Sequence, residues 1–382
     1  MTNFNLHIYP SPITHESRML KETKSISDAK LVDKIFLVGL WKDALKYHEQ
    51  IDAMRYIWRV RPTIGKQNSL FPIKALRYVE WQLRILWKFR NCSVKFVNCH
   101  SLPVLPLGVL FKFFLKSVLV YDTHEIETES IGAVGFKKKI FKLLEKLFIK
   151  YADAVITVNS AIKQWYQSQY KITNVVFVRN IPYQRPRTEI YKNNILKEKF
   201  GIEDDRILYI YQGSLSHGRG IEIILDTFVR FNDDKHVLFM GFGELENTIK
   251  KYQNEYNNIH FLDAVKPFEV NRYTCGADVG LCLNENISLN YYLSLPNKLY
   301  EYIMNGVPVI VSDFPEMGRV IDESGCGWKV SIDKKSLYSL ILNMDKIEIA
   351  TKRERAKKYR KKIGWEIEEK NLIELYRNTL AL

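Results

Sequence analysis

Three short stretches of this 382-residue chain bring together residue types that can do chemistry. The first is YQGSLSHGRGIEIIL (211–225), where a β-branched and aromatic run breaks into a glycine-studded loop and restarts as an apolar-periodic helix. Unpaired N–H groups and the positive end of a helix dipole converge at such a point. Gly213, Gly218 and Gly220 would let backbone approach an anion, and Ser214 and Arg219 would add a hydroxyl and a cation. The spacing is not that of the dinucleotide fingerprint G-x-G-x-x-G, so the loop alone is equally consistent with a tight strand-to-helix turn that binds nothing.

The second stretch is VYDTHEIETES (120–130), in which a polar, acid-rich segment follows a strand-like run. His124 leaves that run at its end, where an imidazole can hydrogen-bond a sugar hydroxyl or meet a developing charge; the alternative is a structural histidine. Of the acids, Glu125 is the one singled out, against a reading of all three as solvated. The third stretch is SLPNKLYEYIMNGVPVIVSDFPEMG (294–318), expected to form a loop, a helix from Asn297 to about Met304, a stop at Gly306 and a buried strand. Glu301 lies mid-helix among Leu299, Tyr302 and Ile303. A carboxylate placed there needs donors, which the hydroxyls of a ribose could supply in pairs; the alternative is an ion pair with Lys298.

The elements that must position these residues are strand-like runs alternating with amphipathic helical stretches. KIFLVGL (34–40), KFVNCH (95–100), VLVYDT (118–123), AVITVN (154–159) and VVFVRN (175–180) form one series. ILYIYQG (207–213), HVLFMG (236–241), IHFLDA (259–264), VGLCLN (279–284) and VPVIVS (307–312) form a second. Continuous apolar strands separated by helices predict parallel sheets covered on both faces. VLPLGVLFKFFLKSVLVY (104–121) reads as a buried helix followed by a strand, since Pro106, Lys112 and Lys116 interrupt it. Residues 41–90, rich in Trp and Arg, receive no assignment. The polar, proline-bearing segment 181–194 reads as a linker. The organisation expected is a Rossmann-like domain over 1–185, a second over 186–360 and a C-terminal helix over 361–382 crossing back towards the first, with a central cleft between the two sheets.

Charge divides the chain in the same place. Residues 1–185 hold 29 Lys and Arg against 14 Asp and Glu, whereas the remainder holds 28 against 29. One half is therefore expected to face a polyanion, either an anionic bilayer or a phosphorylated acceptor, unless the lysines only decorate a solvated face. No basic and aromatic nucleic-acid motif is present, and nucleic acid is not an expected partner. The N-terminus lacks the pattern of a signal peptide, and the five cysteines match no zinc spacing. A cytoplasmic protein with reduced, structural cysteines is expected.

In order and spacing the motifs resemble those of the bacterial family 4 glycosyltransferases of the GT-B fold. The resemblance runs through SPITHESRMLKETKSI, YDTHEIETES, VVFVRNIP, GSLSHGRG, FLDAVKPFEV, GADVGLCL and PNKLYEYIMNGVPVIVSDFPE, with a helix bearing Trp365 at the end. It implies a retaining, metal-independent transfer from a nucleotide diphosphate sugar, a UDP-sugar by preference, to a glycan or polyprenyl-pyrophosphate-linked acceptor in capsule or cell-surface polysaccharide synthesis. It further implies that His124 reaches the donor sugar, that Arg219 binds the diphosphate with Gly213, Ser214 and Gly220, and that Glu301 binds the ribose beside Asn297 and Lys298. His124 and Arg219 are the expected catalytic residues, and no metal ligand is expected. Two positions depart from the pattern: Ser214 stands where the family carries a cation, and Leu293 where it carries a second glutamate. Lys298 could replace the lost cation, and Asn290 and Ser294 the lost acid. A sugar-nucleotide epimerase of the same fold and a non-catalytic nucleotide-sugar-binding subunit are the competing readings. Peripheral contact with an anionic membrane is expected through GFKKKIFKLLEKLFIK (135–150), where Lys137, Lys138 and Lys139 flank an apolar stripe.

Overall fold

The computed structural model describes residues 2–65, 71–132, 134–184, 194–231 and 234–380. The chain divides into two compact units, Met1–Asn180 with Ile367–Leu382, and Ile181–Glu366. Most of the expected linker, residues 185–193, lies outside the described residues. The first unit thus ends at Asn180, and it regains the end of the chain from Ile367.

The first unit is built on β1 (Asn3–Ile8), α1 (Ser17–Asp28), β2 (Lys34–Leu40), β3 (His48–Gln50), β4 (Arg55–Val60), α2 (Phe71–Phe89), β5 (Ser93–Cys99), α3 (Leu105–Leu115), β6 (Val118–Asp122), α4 (Gly135–Phe148), β7 (Ala154–Thr157), α5 (Ser160–Tyr170) and β8 (Val175–Phe177). Its sheet has the order β3-β4-β2-β1-β5-β6-β7-β8, and β3 alone runs antiparallel to its neighbour. The unassigned region 41–90 therefore holds an antiparallel edge strand, a strand of the parallel sheet and a 19-residue helix. α3 differs from the buried helix expected: Leu105, Leu107 and Phe111 are buried, but Phe113 and Phe114 are exposed.

The second unit follows with α6 (Ile195–Phe200), β9 (Ile207–Ser214), α7 (Ile221–Phe228), β10 (Lys235–Phe242), α8 (Glu246–Glu255), β11 (Ile259–Asp263), α9 (Val270–Thr274), β12 (Val279–Cys282), α10 (Leu289–Tyr292), α11 (Asn297–Met304), β13 (Val309–Ser312), α12 (Pro315–Ser324), β14 (Gly327–Val330), α13 (Lys334–Asn343) and α14 (Lys346–Tyr359). The sheet is wholly parallel in the order β11-β10-β9-β12-β13-β14, the doubly wound arrangement. Alternate residues of β9 enter different cores. Tyr209 and Tyr211 pack with α7 and α13 residues, whereas Leu208 and Ile210 pack with α11 and α12 residues. A strand buried on both sides cannot alternate polar with apolar, which is why it reads as one continuous run. A last helix, α15 (Trp365–Leu380), starts in the second unit and continues in the first, where Tyr376 donates to Asn98 at 2.6 Å and Glu368 accepts from Arg179.

Candidate functional site

In the second unit the candidate residues gather at the C-terminal end of β9. The strand order reverses there, with β10 on one side and β12 on the other, and parallel sheets leave an open crevice at such a point. α11 is held over it by Tyr302, whose hydroxyl donates to the Ile210 carbonyl at 3.1 Å and accepts from the Gln212 amide at 3.0 Å. The fit needs Gly280, because a Cβ there would come within 2.5 Å of the Tyr302 ring. The observed helix, Asn297–Met304, coincides with the sequence expectation, and Gly306 follows it at φ +67°.

This packing brings the first turn of α11 onto the end of β9. The Lys298 ammonium lies 3.5 Å from the centroid of the Tyr211 ring, and a Cβ on Gly213 would be 3.7 Å from that nitrogen. Arg219 sits 5.1 Å above the ring of Tyr291, and its Nε is buried without a hydrogen-bond partner. Among the described residues neither cation is within 4.0 Å of a carboxylate, so the expected alternative of a Lys298–Glu301 ion pair is not formed. Burial, reinforced by the Arg219 guanidinium, pushes Lys298 down to about 7. Two cations held near one another without a counter-ion form a site that an anion would stabilise.

Glu301 is half-buried and accepts a 2.6 Å hydrogen bond from the Gln212 side chain, whose own oxygen accepts from Thr274 at 2.6 Å. Gln212, the last buried residue of β9, thus orients the carboxylate, a part that the sequence reading missed. Asn297 is exposed at the first position of α11. Gly213 and Ser214 are exposed and still belong to β9, so the strand runs further into the loop than expected. Ser214 Oγ donates to Ser216 Oγ at 3.2 Å.

Gly220 closes the loop. It caps α7 at φ +72°, and a Cβ would fall 2.7 Å from that of Leu283, so only glycine fits. Its amide donates to Glu285 at 3.2 Å. The His217 amide is likewise taken, by Glu244 at 3.1 Å. Side-chain cations, more than these amides, carry the positive character of the loop. Ser294 is engaged too: it accepts from Asn284 at 2.8 Å and donates to the Tyr291 carbonyl at 2.8 Å, which leaves its hydroxyl one further lone pair.

In the first unit His124 follows β6 and is one end of a buried polar chain. Its Nε2 is 3.4 Å from Asp122 Oδ2 and 3.2 Å from His100 Nδ1; His100 in turn contacts Asp122 at 2.9 Å and His7 at 2.8 Å. Arg18 holds Asp122 in a two-pronged contact at 2.8 and 3.1 Å and Glu22 at 3.0 Å. Burial would raise the Asp122 carboxyl, yet Arg18 and the two histidines hold it well below the usual range. Burial drives Glu22 the other way, well above its usual value, against Arg18. Burial also lowers His7 and His100, so both inner histidines are neutral near pH 7. His7, Glu22 and His100, and likewise His100, Asp122 and His124, place ligand-type atoms within 4.8 Å of one another. The Arg18 guanidinium fills the charge position opposite Asp122. His7, His100 and Arg18 went unnoticed in the sequence because they come from different elements, β1, the end of β5 and α1. Glu125 is half-buried near this group. Glu127, passed over as solvated, is pushed up to about 8 by burial and then by Glu125.

Residues 206–344 match the family described as "Glycosyl transferases group 1". The chain is 24% identical over 262 residues to an uncharacterized glycosyltransferase of Methanocaldococcus jannaschii, covering 65% of this chain and 62% of that one. It is 22% identical over 316 residues to the chitobiosyldiphosphodolichol beta-mannosyltransferase of Kluyveromyces lactis, covering 73% and 68%. The structure of Anabaena HepE in complex with UDP-glucose superposes with a TM-score of 0.73 at 13% identity over 99% of this chain and 100% of that one. Two parallel-sheet Rossmann-like units of this kind make the GT-B fold. The segment 206–344 that matches this family contains the loop, the two cations and Glu301.

Proposed function

We propose that the chain is a glycosyltransferase that moves a sugar from a UDP-sugar, with retention of configuration, to a glycan carried on a lipid diphosphate. The observation that carries the donor half is the pair Arg219 and Lys298, two cations without a carboxylate partner at the switch point of the second sheet. A diphosphate would supply both counter-ions, and Glu301, already fixed by Gln212, would accept from a ribose. As the anomeric bond breaks, charge grows on the leaving phosphate, and cations already placed beside it stabilise that charge more than they stabilise the ground state. The leaving phosphate oxygen can then take the proton of an acceptor hydroxyl arriving on the same face. These residues do that work by charge, and the reading includes no metal. The UDP preference draws support from the UDP-glucose complex of HepE, and the lipid diphosphate from the name of the Kluyveromyces relative. A role in bacterial capsule or cell-surface polysaccharide synthesis rests on the motif resemblance.

A second reading is inversion, favoured by the contact between His124 and Asp122, since a carboxylate behind an imidazole makes a general base. The proton NMR signal of the product's anomeric centre separates the two. His124→Ala is expected to lower turnover far more than UDP affinity on either reading.

Contact with an anionic membrane would come through α4. Phe136, Leu143 and Leu147 are exposed on it, although Lys138 and Lys142 are partly neutralised by Glu129. Among the described residues no helix is long and apolar enough to cross a membrane. The test of the donor half is a thermal-shift panel of UDP, GDP, ADP, CMP and dTDP. A ligand at 100 times its dissociation constant adds about 2.7 kcal/mol of stability, and a flat response to all five would reject the reading.

A further inference from the structure

The first unit contains a cavity of about 1330 Å³ unconnected with the histidine chain. It is a trough between β4 and the outer face of α2, closed at one end by α3. Ile64, Leu76, Val79, Leu83, Trp87 and Phe114 line it, and all six are exposed. α2 explains why they are there. Trp81, Ile85 and Phe89 form its core face and are at most 3% exposed, so the helix has already satisfied its need for burial. Leu76, Val79, Leu83 and Trp87 form a second apolar stripe at helical spacing that no described residue covers; Trp87 is 68% exposed. A stripe of this kind is not needed for folding, and contiguous exposed apolar surface marks an interaction site.

The rim is cationic. Arg61, Lys88 and Arg90 border the trough, with the Arg90 guanidinium 3.6 Å from the Trp87 ring centroid and that of Arg61 4.5 Å from the Trp41 ring centroid. Among the described lining residues the one acid is Glu80, and it is occupied by Arg84 at 2.7 Å and by the Thr63 and Ile64 amides. The volume exceeds the roughly 300–1,000 Å³ typical of sites for compact small molecules. A second copy of the chain meeting this face with its own would set cation against cation. An occupant that is long, apolar and anionic at one end satisfies every one of these features.

We propose that the trough between β4 and α2 binds the hydrocarbon chain of a phosphate-headed isoprenoid lipid, with Arg61, Lys88 and Arg90 as the cations that meet its phosphate. This deepens the lipid-linked acceptor reading given above and rests on it. The chain would be held along the outer face of α2, so that the glycan it carries is presented by the same unit that contains His124.

The test is isothermal titration calorimetry of the full chain with farnesyl phosphate below its micelle concentration, beside titrations with farnesol and inorganic phosphate. Saturable binding of farnesyl phosphate is expected, at least tenfold weaker for farnesol and absent for phosphate alone. Leu83→Glu should weaken it by tenfold or more, whereas Leu143→Glu, on the exposed face of α4, should leave it unchanged. Both side chains are more than half exposed, and an unaltered melting temperature together with unaltered UDP affinity will show that each variant is folded. Equal losses in the two variants would mean a general lipid-facing surface and overturn the trough. No saturable binding, or self-association in the ultracentrifuge abolished by Leu83→Glu, would overturn it as well. Loss of UDP binding with farnesyl phosphate binding intact would instead sink the donor reading and leave the lipid site standing.

Discussion

Lys298 and Tyr211, 87 positions apart in sequence, meet at the end of β9 with the ammonium 3.5 Å from the ring centroid, and the cation has no carboxylate partner among the described residues. The aromatic face offers some compensation for lost water, but burial and Arg219 still bring the lysine down to about 7.

Nucleoside diphosphate binding is therefore expected to take up a proton above about pH 7. A diphosphate beside Lys298 raises its value, so the bound state holds more proton than the free state between the two values. The sign follows: affinity for UDP is flat with respect to this group below about pH 7, then falls as pH rises through the window, by up to tenfold per pH unit. Calorimetry at about pH 8 in buffers of different ionisation enthalpy measures the uptake, and Lys298→Met should abolish it. Uptake unchanged in that variant would place the lysine away from the phosphate.

Arg219→Ala should weaken UDP binding by about 1.5–3 kcal/mol, the range for loss of a charge-assisted hydrogen bond, and lower turnover with it. The buried Nε has no partner to lose in the free protein, so the melting temperature without ligand should hardly change. A variant that binds UDP normally would remove the loop from the donor site. Ser214→Arg is the companion: the position is exposed at the end of β9, and binding should survive a cation there.

Glu301→Gln is expected to cost affinity for UDP more than for 2′-deoxy-UDP, since the carboxylate can accept from two ribose hydroxyls while an amide oxygen accepts less strongly. The variant also turns the Gln212 contact from carboxylate–amide to amide–amide, which the deoxy ligand would report equally. Equal losses for both ligands would therefore assign Glu301 to positioning Gln212 and not to the ribose.

Arg18→Met should destabilise the first unit by about 3–5 kcal/mol, because it leaves the Asp122 carboxylate buried without its cation. Urea unfolding followed by circular dichroism measures it. A loss under about 1 kcal/mol would show that His100 and the neighbouring groups suffice to hold the carboxylate.

The sequence by itself determined the class of fold, most of the strands and the bounds of α11, because each depends on local pattern. A strand covered on both faces must be apolar at consecutive positions, and a helix ending at Met304 with Gly306 beyond announces its own stop. Local pattern failed over 41–90. β4, RYIWRV, inserts two arginines into a sheet strand, and they are tolerated only because Arg55 and Arg59 find Asp52, Glu49 and carbonyl partners that no periodicity records. α2 was equally opaque, being apolar on a core face and on an outer face at once. The partners of the site were decided by tertiary structure alone. His7, His100 and His124 become one chain because β1, β5 and β6 lie side by side, and Gly220 loses its amide to Glu285 because β9 neighbours β12. The order of strands in a sheet is set by which faces can be buried together across the whole unit. It therefore decides which distant side chains share a site and what charge each one carries there.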